Sequence, residues 1–207
     1  MTKDPAQLSP CADLAAVRAA DRPGRVFLPA LASFPTESWP LVALLPVLDI
    51  NGALAAALGA GRPFRGGAPV AGIFACDPFL RLADLAATLR AAGITQVVNY
   101  PTVQIFEGET AAALAAVNYR AESEFRLLLR LAALGFTPIA CATSRVAVDT
   151  ALELGLRRIL LHPGVLPRAD PSGWWTPLAT RVAVEGGVAL GWQMPDQASN
   201  PRRRMRL

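Results

Sequence analysis

Apolar residues fall into short runs and helical stripes that take turns along the chain. The run 69–75, Pro-Val-Ala-Gly-Ile-Phe-Ala, has no charged or amide position, as a strand buried on both faces requires. Residues 79–92 follow with apolar positions at helical spacing, Gly93 closes that helix, and a strand over 96–99 completes a β-α-β unit. The alternation continues through a helix over 119–134, Gly135, a strand over 137–142, a helix over 144–154, Gly155 and a strand over 158–161. The last strand expected is 188–192.

Upstream, residues 9–20 read as a short helix ended by the turn signal Asp21-Arg22-Pro23-Gly24, and 25–31 as a brief strand. The stretch 33–40 is rich in Pro, Ser and Thr and holds Phe34 and Trp39, so it reads as a loop and equally as a lid; 50–58 is helical. Alternating strands and helices give a parallel sheet with right-handed crossovers. Both a barrel and an open doubly wound sheet fit. No Gly-x-Gly-x-x-Gly follows a strand and no Walker loop occurs, so the nucleotide-binding form of the open sheet lacks its signature. Polar residues cluster instead where strands end, at Asp77, Asn99 and His162, which is the habit of barrels.

With 53% hydrophobic and 17% charged residues in 207, one domain with an ample core is expected. The longest apolar stretch, 41–60, is interrupted by Pro46, Asp49 and Asn51, which speaks against a membrane span, and no signal-peptide pattern opens the chain, so a cytoplasmic protein is expected. The charge of +4 comes from Arg202, Arg203, Arg204 and Arg206, a like-charge tail that repels itself and extends, so nucleic-acid binding is not expected. Three widely spaced cysteines form neither a disulfide framework nor a zinc pattern.

The candidate residues carry plain and chemical readings side by side. Asp77 precedes Pro78 and suits a helix N-cap, yet a carboxylate at a barrel mouth also suits a metal ligand or a base. Asn99 could orient a substrate oxygen or satisfy the turn Asn99-Tyr100-Pro101-Thr102, and the loop onward to Asn118 is long for its type. Glu122 lines up with Arg126 and Arg130 as a surface ladder, whereas Glu124 sits beside Leu127, Leu128 and Leu131, where a solvated charge makes less sense. His162, the only histidine, stands directly after a strand and before Pro163-Gly164. Trp174, Trp175 and Trp192 suit an interface or, more simply, core packing.

The strings Ala75-Cys76-Asp77-Pro78-Phe79, Asn99-Tyr100-Pro101-Thr102-Val103, Glu122-Ser123-Glu124 and His162-Pro163-Gly164, in this order, resemble those of the phosphoenolpyruvate hydrolase-like family. Leu44-Leu45-Pro46 with Asp49 and Asn51 also resembles a family loop. The resemblance runs from about residue 44 to 165; Cys76 and Val98 replace the usual Thr and Gln, and 166–171 replaces a Thr/Gly-rich stretch. It implies an α/β fold of the TIM-barrel type, likened to indole-glycerol-phosphate synthase, here shortened to about six recognisable strands. It also implies that Asp77, Asn99, Glu122, Glu124 and His162 line the mouth, with Asp77, Glu124 and His162 catalytic. Asn99, Thr102, Glu122 and Gly164 would contact substrate, and Asp77 and Glu124 would hold Mg²⁺ or another divalent cation.

The organisation expected is an N-terminal helical extension over 1–24, a barrel over 25–194 and a disordered basic tail over 195–207. The expected activity is hydrolase or lyase chemistry on a small carboxylate or carbonyl compound, phosphorylated or not. The alternative is a degenerate barrel that binds a ligand or protein. A homo-oligomer is one way of covering the edges that a shortened barrel would leave open.

Overall fold

The computed structural model describes residues 6–43, 48–164 and 171–193. Leu44, Leu45 and Pro46, most of the stretch after Gly164, and the Arg-rich tail lie outside the described residues. Seven parallel strands close into a barrel: β1 (Gln7–Cys11), β2 (Arg25–Phe27), β3 (Val70–Gly72), β4 (Gln96–Val98), β5 (Thr137–Ala142), β6 (Arg158–Leu161) and β7 (Val188–Trp192). The helices α1 (Trp39–Val42), α2 (Ile50–Ala60), α3 (Leu82–Ala92), α4 (Gly108–Ala116), α5 (Ala121–Ala133), α6 (Arg145–Glu153) and α7 (Pro171–Val184) lie in the connections. The protein is therefore α/β with a TIM-type barrel, as expected, and its closed barrel has seven strands among the described residues rather than the six legible in the sequence, against the usual eight.

Two expectations are corrected. Residues 7–11 form a strand rather than the start of a helix, and β1 closes the barrel by pairing with β7 (Gln7 with Gly191, Leu8 with Trp192) and with β2 (Ser9 with Arg25). The described residues 6–24 thus form no α-helical extension; they supply the strand that removes both edges. The long loop after β4 also contains structure, a 3₁₀ turn over Val103–Ile105 and then α4. Among the described residues no helix is long and apolar enough to cross a membrane.

The continuous apolar runs of the strands are explained by two buried faces. Val26, Val70, Val98, Ile139, Cys141, Leu160 and Leu190 share one cluster and fill the lumen. Their neighbours Phe27, Ala71, Val97, Ala140, Ile159 and Leu161 pack outward on Leu54, Leu89, Phe125, Leu128 and Leu178 of the helices. Gly72 faces inward at a tight point: a Cβ there would lie 2.5 Å from Leu28 Cδ2 and 2.7 Å from the Tyr100 carbonyl. Leu31 and Trp39, in the connection from β2 to α2, are buried in the lumen cluster with Leu28 and Tyr100, and Trp39 Nε1 donates to the Phe34 carbonyl. The segment read as loop or lid is thus an apolar cap on the end of the barrel at which the strands finish.

Candidate functional site

Glu124 enters from the first turn of α5, on the same face as Phe125, Leu128 and Leu131, and is fully buried. Its Oε2 accepts from Asn99 Nδ2 (3.0 Å), Thr102 Oγ1 (2.7 Å) and Gln104 Nε2 (2.8 Å), and its Oε1 from the Val103 N–H (3.0 Å). Burial pushes the carboxyl up to about 7, and these four donors pull in the opposite direction without cancelling it. Asn99 and Gln104 extend the network to β5. The Cys141 N–H donates to Asn99 Oδ1 at 2.7 Å, and both amide groups donate to the Cys141 carbonyl. Asn99, Thr102 and Glu124 are therefore brought together, as a staple tying the loop after β4 to β5 and α5. Gln104, which sequence reasoning missed, completes that staple.

Asp77 belongs to another place. Its Oδ1 accepts from the Phe79 N–H (2.8 Å), the N-cap-like arrangement that Pro78 suggests, and its Oδ2 from Asn51 Nδ2 (2.8 Å). Asn51, buried on α2, also exchanges hydrogen bonds with the Phe74 backbone, so it locks α2 to the end of β3. Asp77 opens onto a groove of about 610 Å³ between α2 and α3, whose lining includes Asp49, Arg81 and Asp84. Glu122 stands on the outer side of α5, paired with Arg126 at 2.7 Å and Arg120 at 3.9 Å; these guanidinium groups lower its pKa. Arg126 is the ladder partner that the spacing predicts, and Arg120 takes part as well.

The expected cation pair does not assemble. Glu124 has both oxygens taken by protein donors, and Asp77 has its own partners in Asn51 and the Phe79 N–H. Among the described residues no three His, Cys, Asp or Glu side chains group as metal ligands. Cys141 is a buried lumen residue and Cys76 a half-buried one; desolvation raises both thiols, Cys76 to about 12, so neither is a thiolate at neutral pH.

His162 follows β6 at an inward position, two residues after Leu160, and is 1% exposed. The N–H of Gly164, whose φ of +88° suits glycine, donates to His162 Nδ1 at 3.1 Å. With Nδ1 an acceptor, the proton of the neutral ring sits on Nε2. Burial alone lowers the pKa to about 4, so the ring is neutral at pH 7. Nε2 is buried with no hydrogen-bond partner among the described residues.

Two neighbours share that condition. Tyr100, two residues after Val98, is 1% exposed, Trp192 stands two after Leu190, and the Tyr100 hydroxyl and Trp192 Nε1 are buried with no hydrogen-bond partner among the described residues. The three rings touch one another: Tyr100 to Trp192 at 4.4 Å between centroids, His162 to Trp192 at 5.0 Å and Tyr100 to His162 at 5.3 Å. Each orphaned group costs about 1–3 kcal/mol relative to a satisfied one, so three together mark a place that the described residues do not complete by themselves. The inward two-residue spacing from Val98 and Leu190 was the available signal for Tyr100 and Trp192.

No family model matches the chain. Over 117 residues it is 34% identical to an uncharacterized protein, y4oT, of Sinorhizobium fredii. The match covers 56% of this chain, and the chain spans 59% of the length of that relative.

Proposed function

We propose that the protein is a phosphoenolpyruvate hydrolase-like barrel enzyme acting on a small carboxylate or carbonyl compound held at the C-terminal end of the lumen. The observation that carries this reading is His162. It lies at the end of β6, one nitrogen is fixed by the Gly164 N–H, and the other nitrogen is buried with no partner among the described residues. A neutral imidazole whose Nε2–H meets a substrate oxygen stabilises negative charge that develops there, and so favours hydrolase or lyase chemistry at that centre. Glu124, Asn99, Thr102 and Gln104 act behind the site by fixing the loop that carries Tyr100.

A second reading, a barrel that binds such a compound without turning it over, is favoured by one observation. Asp77 and Glu124, the candidate bases, are both committed to hydrogen bonds within the fold. A thermal-shift screen with 2-keto acids and their esters, followed by turnover assays, separates the two. At 100 Kd a ligand of the native state stabilises by about 2.7 kcal/mol, roughly 5–10 °C in a chain of this size, and His162→Phe abolishes the shift while still melting cooperatively. Equal shifts in wild type and His162→Phe contradict both readings; shifts without turnover select the binding module.

A further inference from the structure

We infer that Tyr100, His162 and Trp192 form a subsite for the oxygen of an uncharged carbonyl compound, each donating a hydrogen bond to it or to the atom beside it. This rests on the reading of the lumen end as the working site and narrows it to one ligand class.

The donor set decides the class. The Gly164 N–H fixes His162 as an Nε2–H donor, an indole N–H can only donate, and the Tyr100 hydroxyl is free to donate. The buried orphans are thus three donors looking for acceptors, and a carbonyl oxygen with two lone pairs, aided by a second acceptor such as an ester oxygen, answers them. Among the described residues, charge is what the place lacks. His162 is perturbed by burial alone, and Tyr100 by burial and the neighbouring Cys141 thiol, so no guanidinium or carboxylate among the described residues acts on either ring. An anion taken from water into an apolar lumen needs a cation to offset its desolvation, whereas a neutral carbonyl does not. Leu160, Leu190 and Cys141, which lie deeper in the lumen, are buried and apolar, so the apolar remainder of such a ligand would meet no charged side chain of theirs.

The test uses the whole chain labelled with ¹⁵N, reading the Trp192 indole N–H, assigned by its loss in Trp192→Phe. The probes are cyclopentanone, acetate and inorganic phosphate. The expected result is a saturable shift of the Trp192 signal with cyclopentanone only, weakened about tenfold in Tyr100→Phe. The ligand-free Tyr100→Phe protein should melt a few degrees higher than wild type, because a buried unsatisfied hydroxyl has gone. Acetate or phosphate moving the signal as tightly as cyclopentanone overturns the uncharged-carbonyl assignment and leaves the wider reading of the site to its own His162→Phe test. No shift with any probe, or a lower melting temperature in Tyr100→Phe, overturns the subsite, the three groups then being satisfied by water.

Discussion

Glu124 and His162 sit in the same end of the barrel and titrate in opposite senses. The Glu124 carboxyl has a folded pKa near 7, above its ordinary 4.5, so the stability it contributes is full below pH 4.5 and is lost as pH rises through 7. His162, lowered from 6.5 to about 4, contributes stability that is full above pH 6.5 and is lost as pH falls through 4. Between about pH 4.5 and 6.5 the two slopes cancel, and the melting temperature of the wild type should be nearly level there. Calorimetry of His162→Phe should then show stability rising as pH falls from 7 to 5, and Glu124→Gln should show it falling over the same range. A wild-type slope carried unchanged by both variants would sink the assignment. Which of these residues could be read in advance follows from their surroundings. Glu124 was legible because a carboxylate among leucines on one helical face has to be buried, and His162 because it ends a strand. Trp192 ends an apolar string and Tyr100 stands in a turn read through Asn99 and Pro101, so each ring looks structural until its polar atom is found without a partner among the described residues.

At the level of elements, side-chain amides and one glycine hold the strand ends in place. Asp77→Ala removes the acceptor for the Phe79 N–H and for Asn51, which should cost about 1 kcal/mol, or roughly 2–4 °C, and leave ligand shifts at the lumen intact. Loss of those shifts in Asp77→Ala would place Asp77 in the site after all. Gly72→Ala should cost more, about 1–3 kcal/mol of overpacking by urea titration, because its Cβ meets Val26, Leu28 and the Tyr100 carbonyl. Most elements were legible from the alternation of runs and stripes and from glycines such as Gly93, whose φ of +77° ends α3. β1 was not. The segment Gln7–Cys11 lies beside an Ala-rich stretch with helical propensity and has no alternating pattern of its own, so pairing with β7 and β2 makes it a strand. The helix α4 was missed for the opposite reason, since Gly108 and Glu107 look like a loop although the alanines after them favour a helix.

For the molecule as a whole, closure is the property on which the site depends. Seven strands need β1 to join β2 to β7, and the lumen cluster, from Leu8 through Val98 to Leu190, spans that seam. A chain beginning after Cys11 should therefore expose two strand edges, lose cooperative melting and aggregate; a truncated protein that melts like the full one would refute the seam. Closure also explains why the lumen ends in aromatic rings under the Leu31 and Trp39 cap rather than in solvent. The central claim is that this capped end receives a ligand. A crystal structure of the wild-type protein grown with a saturating small keto ester tests it most directly. The account predicts ligand density within hydrogen-bond distance of Tyr100 Oη, His162 Nε2 and Trp192 Nε1, with the ester packed on Leu160 and Leu190. Density confined to the groove between α2 and α3, or none beyond ordered water at the three rings, would contradict it.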